Sequence, residues 1–195
     1  MKEQVVGIVL AGGASRRFGS PKAFADVKGK LFYQLSLEAL QPALETSIIV
    51  TSEQLENSYP DSPGTLVIKD VVKHAGKGPL AGIYSAMLHK KAEWYAVVPV
   101  DVPFIRPDIY HELLNQLEAG KEAIIPEVGA RVQPLIALYH YSLKAKIKEL
   151  LETNQLSMRD LLKNAEVKYV EFVDETPFLN INRERDYDRY IRNRS

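Results

Sequence analysis

The residues of this 195-residue chain whose types and spacing could do the most chemistry lie in one stretch, LAGGASRRFGSPK (10–22). Gly12 and Gly13 can take backbone angles closed to other residues and let a ligand approach the main chain, whose N–H groups then face an anion. Arg16, Arg17 and Lys22 add fixed positive charge beside them. The stretch suits a phosphate, although it is neither of the two familiar phosphate loops. Gly13 and Gly19 are six apart with Lys22 three further on, so the Gly-x4-Gly-Lys-Ser/Thr spacing fails, and GxGxxG is absent. On these residues alone, a glycine turn flanked by solvated arginines also stands.

Two aspartates extend the pattern. Asp101 in PVDVP (99–103) follows a run that is apolar almost to its end. A carboxylate there, facing a phosphate loop, has the character of a Mg²⁺ ligand, with the remaining oxygens supplied by substrate phosphates and water. The alternative is a turn-forming Asp ahead of Pro103. Asp70 opens DVVKHAGKGPLAGI (70–83) at the end of another such run. It either caps a turn or touches the nucleotide or metal.

Residues of this kind need elements that deliver them to one edge. Runs rich in Val and Ile at 5–10, 47–51, 65–69, 94–100 and 122–126 read as strands, and the segments between them, 31–40, 79–91 and 108–118, place apolar residues on one helical face. Alternating strand and helix predicts a three-layer α/β domain around a mostly parallel sheet, whose buried strands read as nearly continuous apolar runs. Beyond residue 130 a strand at 133–139, helices at 142–152 and 157–165, a strand at 167–173 and a helix at 184–194 are expected. One domain over 1–195 is expected, since no linker, repeat or low-complexity tract interrupts the chain. In such a sheet the loop after the first strand is a frequent phosphate site, and ligands sit beyond the carboxyl ends of the strands.

Composition narrows the chemistry. Twenty-five basic and 25 acidic side chains cancel, so no global field favours nucleic acid or an anionic membrane. There is no cysteine, which removes disulfides, thiolate nucleophiles and cysteine-based metal sites. His74, His89, His111 and His140 stand in separate segments without zinc spacing. The run at 5–10 reads as a core strand rather than a signal peptide, because it breaks straight into a loop with two arginines. No apolar stretch approaches the ~20 residues of a membrane helix. A soluble cytoplasmic protein is expected. Tyr139, His140 and Tyr141 could stack on a ring ligand, but packing is the stronger expectation.

LAGGxSxR-x-G-x-x-K after the first strand, GPLAG (78–82) before a helix, a strand ending in D-x-P and FLNIN (178–182) occur in this order. Together they resemble the molybdenum cofactor guanylyltransferase family, from Val5 to about Tyr187. The resemblance implies a Rossmann-like nucleotidyltransferase fold and a reaction of GTP with molybdenum-bearing molybdopterin, giving the guanine dinucleotide cofactor and pyrophosphate with Mg²⁺. It implies that Leu10, Ala11, Gly12 and Gly13 bind the nucleotide and that Arg17 and Lys22 face its phosphates. Asp70 would contact the nucleotide and Asp101 the metal. Gly78 and Gly82 would lie between the two ligands, and Asn180 and Asn182 near the pterin. Transient contact with cofactor-biosynthesis or acceptor enzymes also follows.

The chain departs from the family pattern at Phe18, where methionine is frequent, and at Thr51, where members can carry asparagine as a nucleotide contact. Val100 and Val102 replace other small residues. Rival readings are a cytidylyl transferase of molybdopterin, a sugar- or isoprenoid-phosphate nucleotidyltransferase, and a non-catalytic nucleotide-binding adaptor in cofactor delivery.

Overall fold

A computed structural model of the chain describes residues 5–12, 21–41, 44 and 46–191. The chain runs through β1 (Val5–Leu10), a short hairpin of β2 (Asp26–Val27) and β3 (Lys30–Leu31), α1 (Phe32–Leu40), β4 (Ser47–Thr51) and β5 (Thr65–Lys69). It continues through α2 (Pro79–His89), β6 (Trp94–Pro99), α3 (Pro107–Asn115), β7 (Ala123–Val128), β8 (Arg131–Val132) and β9 (Ala137–His140). The last elements are α4 (Lys144–Glu152), α5 (Met158–Leu162), β10 (Val167–Phe172) and α6 (Glu184–Tyr190).

The main sheet has the order β10-β7-β9-β6-β1-β4-β5, with β8 paired to β7. β6, β1, β4 and β5 are mutually parallel, and β9 alone runs antiparallel between β6 and β7. The central strands alternate their side chains between two cores. Val6, Ile8, Ile48, Val50, Tyr95 and Val97 point to the layer of α2, α4 and α5. Val9, Ile49, Ala96 and Val98 point to the layer of α1 and α3. Both faces are dry, which is why these strands carry almost no polar residue. Each fully buried Ile or Val contributes about 1.5–3 kcal/mol relative to exposure.

Register places the site. Leu10 lies opposite Val50 on one side and Pro99 on the other, and Thr51 lies opposite Lys69. The carboxyl ends of four parallel strands therefore finish level. β1 has β4 on one side and β6 on the other, so the strand order reverses there and a crevice opens. At about 4.8 Å per strand, the edge from β6 to β5 spans about 14 Å.

The expected bounds of four elements are corrected. The strand expected over 133–139 is confined to 137–140, because Gln133–Ile136 forms a turn closed by Ile136 N–H on the Gln133 carbonyl at 3.0 Å, and Pro134 has no N–H to donate. The helices expected over 157–165 and 142–152 begin later and α5 ends at Leu162. The final helix was expected to reach 194; α6 ends at Tyr190, and 192–195 lie outside the described residues.

Candidate active site

The level strand ends enclose a cavity of about 530 Å³. Leu10, Ala11 and Gly12 form its floor, continuing β1 with Ala11 N–H bonded to the Val50 carbonyl at 2.8 Å. Lys22 and Asp101 stand at the β6 end, and Thr51, Glu53, Lys69 and Asp70 at the β4–β5 end. Gly13 and Arg17 fall outside the described residues.

The β6 end is charged. Lys22 Nζ lies 3.8 Å from Asp101 Oδ2 and donates to Asn182 Oδ1 at 2.8 Å. The two side chains are 14% and 26% exposed. Burial raises the Asp101 carboxyl above the ordinary carboxylate range, and the Lys22 charge works against that rise. Lys22 opens a short 3₁₀ turn, Lys22–Phe24, fixed from beneath by Phe24. The Phe24 ring centroid is 4.9 Å from Tyr59 and 5.7 Å from Tyr33. Asp101 is fixed by its neighbours: Val100 N–H bonds the Leu10 carbonyl at 3.2 Å, and Ile181 N–H bonds the Asp101 carbonyl at 2.7 Å.

The β4–β5 end carries an exposed pair, Lys69 Nζ 2.9 Å from Glu53 Oε1, beside desolvated groups. Asp70 Oδ2 accepts from Gly76 N–H at 3.3 Å, while Asp70 Oδ1 is buried with no hydrogen-bond partner among the described residues. Burial raises this carboxyl also, and the Gly76 bond lowers it. A buried acceptor beside a cavity is a place for a ligand's O–H or N–H, because an unmet acceptor costs about 1–3 kcal/mol. Thr51 is 2% exposed, and its hydroxyl pairs with Tyr59 Oη at 3.2 Å.

Gly78 and Gly82 line the cavity where α2 begins. Gly78 takes φ +77°, a conformation that favours glycine, and turns the chain into Pro79 at the first helical position. At Gly82 a Cβ would stand 2.7 Å from Leu10 Cδ2, so a side chain there would require the Leu10 side chain to turn aside. The same Cβ would be 3.8 Å from Asp70 Oδ1.

Leu10, Ala11, Gly12, Lys22, Asp70, Gly78, Gly82 and Asp101 thus come together around one cavity. Asn182 reaches it through Lys22. Asn180 is exposed and does not line it. Tyr139 is buried with its hydroxyl donating to the Pro134 carbonyl, and His140 pairs with Trp94, at the opposite edge of the sheet. Tyr139 and His140 are packing, while Tyr141 is 56% exposed with its ring against His140. Tyr59 has no motif or periodicity that marks it in the sequence, and its partnership with Thr51 emerges only from the fold.

Among the described residues no three His, Cys, Asp or Glu side chains gather as a metal cage. A cation at Asp101 would have one protein carboxylate, which fits an ion that draws its other oxygens from substrate phosphates and water. No helix among the described residues is long and apolar enough to cross a membrane.

The family model for the MobA-like NTP transferase domain matches residues 7–169. The chain belongs to this family. A relative in Geobacillus sp. (strain WCH70), named "Probable molybdenum cofactor guanylyltransferase", is 38% identical over 192 residues, covering 96% of this chain and 98% of its own. One of the same name in Halalkalibacterium halodurans is 39% identical over 191 residues, covering 95% and 96%. Among solved structures, molybdopterin-guanine dinucleotide biosynthesis protein A from Archaeoglobus fulgidus matches with TM-score 0.78 and 26% identity, covering 94% of this chain and 95% of that one. Membership in the MobA-like family makes the chain a nucleotidyltransferase, with the mostly parallel Rossmann-like sheet of that class.

Proposed function

We propose that this chain transfers the guanylyl group of GTP to the terminal phosphate of molybdopterin and releases pyrophosphate. The observation that carries the reading is the single cavity at the β1 switch point, with Lys22 and Asp101 at one end and the unmet acceptor of Asp70 at the other. Its span of about 14 Å along the sheet edge accommodates a nucleotide laid from triphosphate to base.

A pterin phosphate oxygen attacks the α-phosphorus of GTP, the bond from that phosphorus to the bridging oxygen breaks, and pyrophosphate leaves. The attacking phosphomonoester has a second pKa of about 6 and is largely dianionic at neutral pH, so no protein base is required. The barrier lies in bringing polyanions together and aligning them. Lys22 stabilises charge on the departing pyrophosphate, with Arg17 assigned the same task from its place in the loop. Leu10, Ala11, Gly12 and Gly13 carry the nucleoside and its first phosphate on the main chain. Asp70 accepts from a hydroxyl or ring N–H of the guanosine. Asp101 is the residue that would hold Mg²⁺, which supplies charge neutralisation between substrate phosphate oxygens when bound. Gly78 and Gly82 shape the wall between the two substrates, and Asn180 and Asn182 face the pterin side. Transient docking of cofactor-biosynthesis or acceptor enzymes fits a labile product.

The test is pyrophosphate release with Mg²⁺ and each of GTP, CTP, ATP and UTP, with and without molybdopterin. Release with GTP that depends on the pterin is expected. A preference for CTP moves the chain to cytidylyl transfer, and GTP binding without release makes it an adaptor.

A further inference from the structure

The Lys22 ammonium sits on a flexible four-carbon stem that is free to rotate unless something holds it. A cation that receives developing charge must be held in place before the reaction, since preorganised donors need no rearrangement in the transition state. Asp101 alone does not provide that hold, because its nearest oxygen is 3.8 Å away, beyond hydrogen-bond distance. A short contact comes from the far end of the sequence: Lys22 Nζ donates to Asn182 Oδ1 at 2.8 Å across 160 residues.

Asn182 is itself fixed. Its N–H and that of Arg183 both donate to Asp186 Oδ2, at 3.1 and 2.9 Å. The preceding residue, Ile181, is fully buried with Phe32 and Ile191, and its N–H pins the Asp101 carbonyl at 2.7 Å. Tyr187 closes the arrangement, its ring against Phe32 and its hydroxyl donating to the Asp26 carbonyl. Two adjacent residues therefore hold both charged groups, Ile181 through main chain and Asn182 through its amide. An amide suits the task because it accepts a proton donor without cancelling its charge, as a carboxylate would.

We infer that Asn182 is a positioning residue, which holds the Lys22 ammonium in line with Asp101, so that the C-terminal segment sets where positive charge meets the phosphates. The inference rests on the guanylyl-transfer reading for its substrate, not for its geometry. It gives Asn182 a role through Lys22 rather than through direct contact with the pterin.

A double-mutant cycle on the full chain tests it, with Lys22→Ala, Asn182→Ala and the pair, each checked for an unchanged melting temperature. Initial rates are taken with molybdopterin and whichever triphosphate the wild type turns over. Lys22→Ala is expected to lower kcat about 10²-fold. Asn182→Ala alone should lower it about 10-fold, and the pair should match Lys22→Ala within about 3-fold, because the two residues act as one unit. The KM for molybdopterin should stay within about 2-fold in Asn182→Ala, as for loss of an interaction made only in the transition state. Asn182→Gln keeps a neutral amide acceptor and should retain more kcat than Asn182→Ala. Additive losses near 10³-fold, a kcat in Asn182→Gln no better than in Asn182→Ala, or a loss carried by the pterin KM would overturn the inference. Turnover with CTP instead of GTP overturns the substrate reading, and the coupling is then read with CTP.

Discussion

At the β6 end of the cavity the functional groups are charged, partly wet and held by contacts from distant parts of the chain. Lys22 comes from the loop after β1, Asp101 from the end of β6, and Asn182 from the segment before α6. At the β4–β5 end, beside the exposed Lys69–Glu53 pair, the inner groups are held by sheet register and by the packing of α2: Thr51 is buried, Gly82 lies against Leu10, and one oxygen of Asp70 is buried. Charge can be placed on mobile stems if they are tied down, whereas shape has to be built into the backbone. The difference assigns rate to one end and nucleotide affinity to the other.

The strongest test of that division is Asp101→Ala. With the carboxylate removed from the β6 end, kcat should fall by about 10²-fold or more while the KM for GTP moves little. The melting temperature should hold, since loss of a buried carboxylate removes a desolvation penalty. Near-normal kcat in the folded variant would dissolve the assignment.

Gly82→Ala probes the other end. Its Cβ meets Leu10 Cδ2 at 2.7 Å, and turning the Leu10 side chain aside costs about 0.5–1.5 kcal/mol and alters the cavity floor. The KM for GTP should rise by on the order of 10-fold with kcat less affected. Leu10→Ala added to Gly82→Ala should recover part of the affinity, and failure to do so would place the glycine's role in substrate contact rather than in helix seating.

A pH series sharpens the picture of the desolvated end. Burial raises the Asp70 carboxyl in the folded state, so the native protein binds more protons than the unfolded chain between the ordinary carboxylate pKa and the raised one. Stability contributed at this position is therefore highest in acid and falls as pH rises through that window. Asp70→Asn, which keeps an acceptor for Gly76 N–H, should gain on wild type in melting temperature from about pH 4 upward and level off once the raised pKa is passed. A constant difference across pH would show that the carboxylate is not under strain.

The smallest effect belongs to Tyr59→Phe. It removes the bond to Thr51, about 0.5–1.5 kcal/mol, and should lower stability by that amount while changing the KM for GTP less than about 3-fold. A larger change would mean that the Thr51 hydroxyl is aimed at the nucleotide by its tyrosine partner.

The same contrast governs what was legible in the sequence. β1 and β4 match the Val- and Ile-rich runs at 5–10 and 47–51, because strands buried on both faces leave little room for polar residues to blur their limits, and β5 matches 65–69 although it lies at the sheet edge with Ile68 as its buried residue. Asp70 and Asp101 were visible for the same reason, each following such a run at the edge where ligands bind. The β2–β3 hairpin was not visible: two strands of two residues have no periodicity, and the turn takes positive φ at Lys28 and Gly29. The antiparallel entry of β9 was also hidden, since burial pattern carries no strand direction. Lys22 and Asn182 were each picked out by motif, but not as a pair, because nothing in a linear reading brings together residues 160 positions apart.

The measurement that tests the central claim most directly is the fate of label from GTP carrying radioactive phosphorus at the α position, incubated with Mg²⁺ and molybdopterin. The account predicts that wild-type protein moves the label into a pterin dinucleotide with matching release of unlabelled pyrophosphate, and that Asp101→Ala does not. Label that stays in GTP or appears as free GMP, or a dinucleotide that forms only from α-labelled CTP, would contradict it.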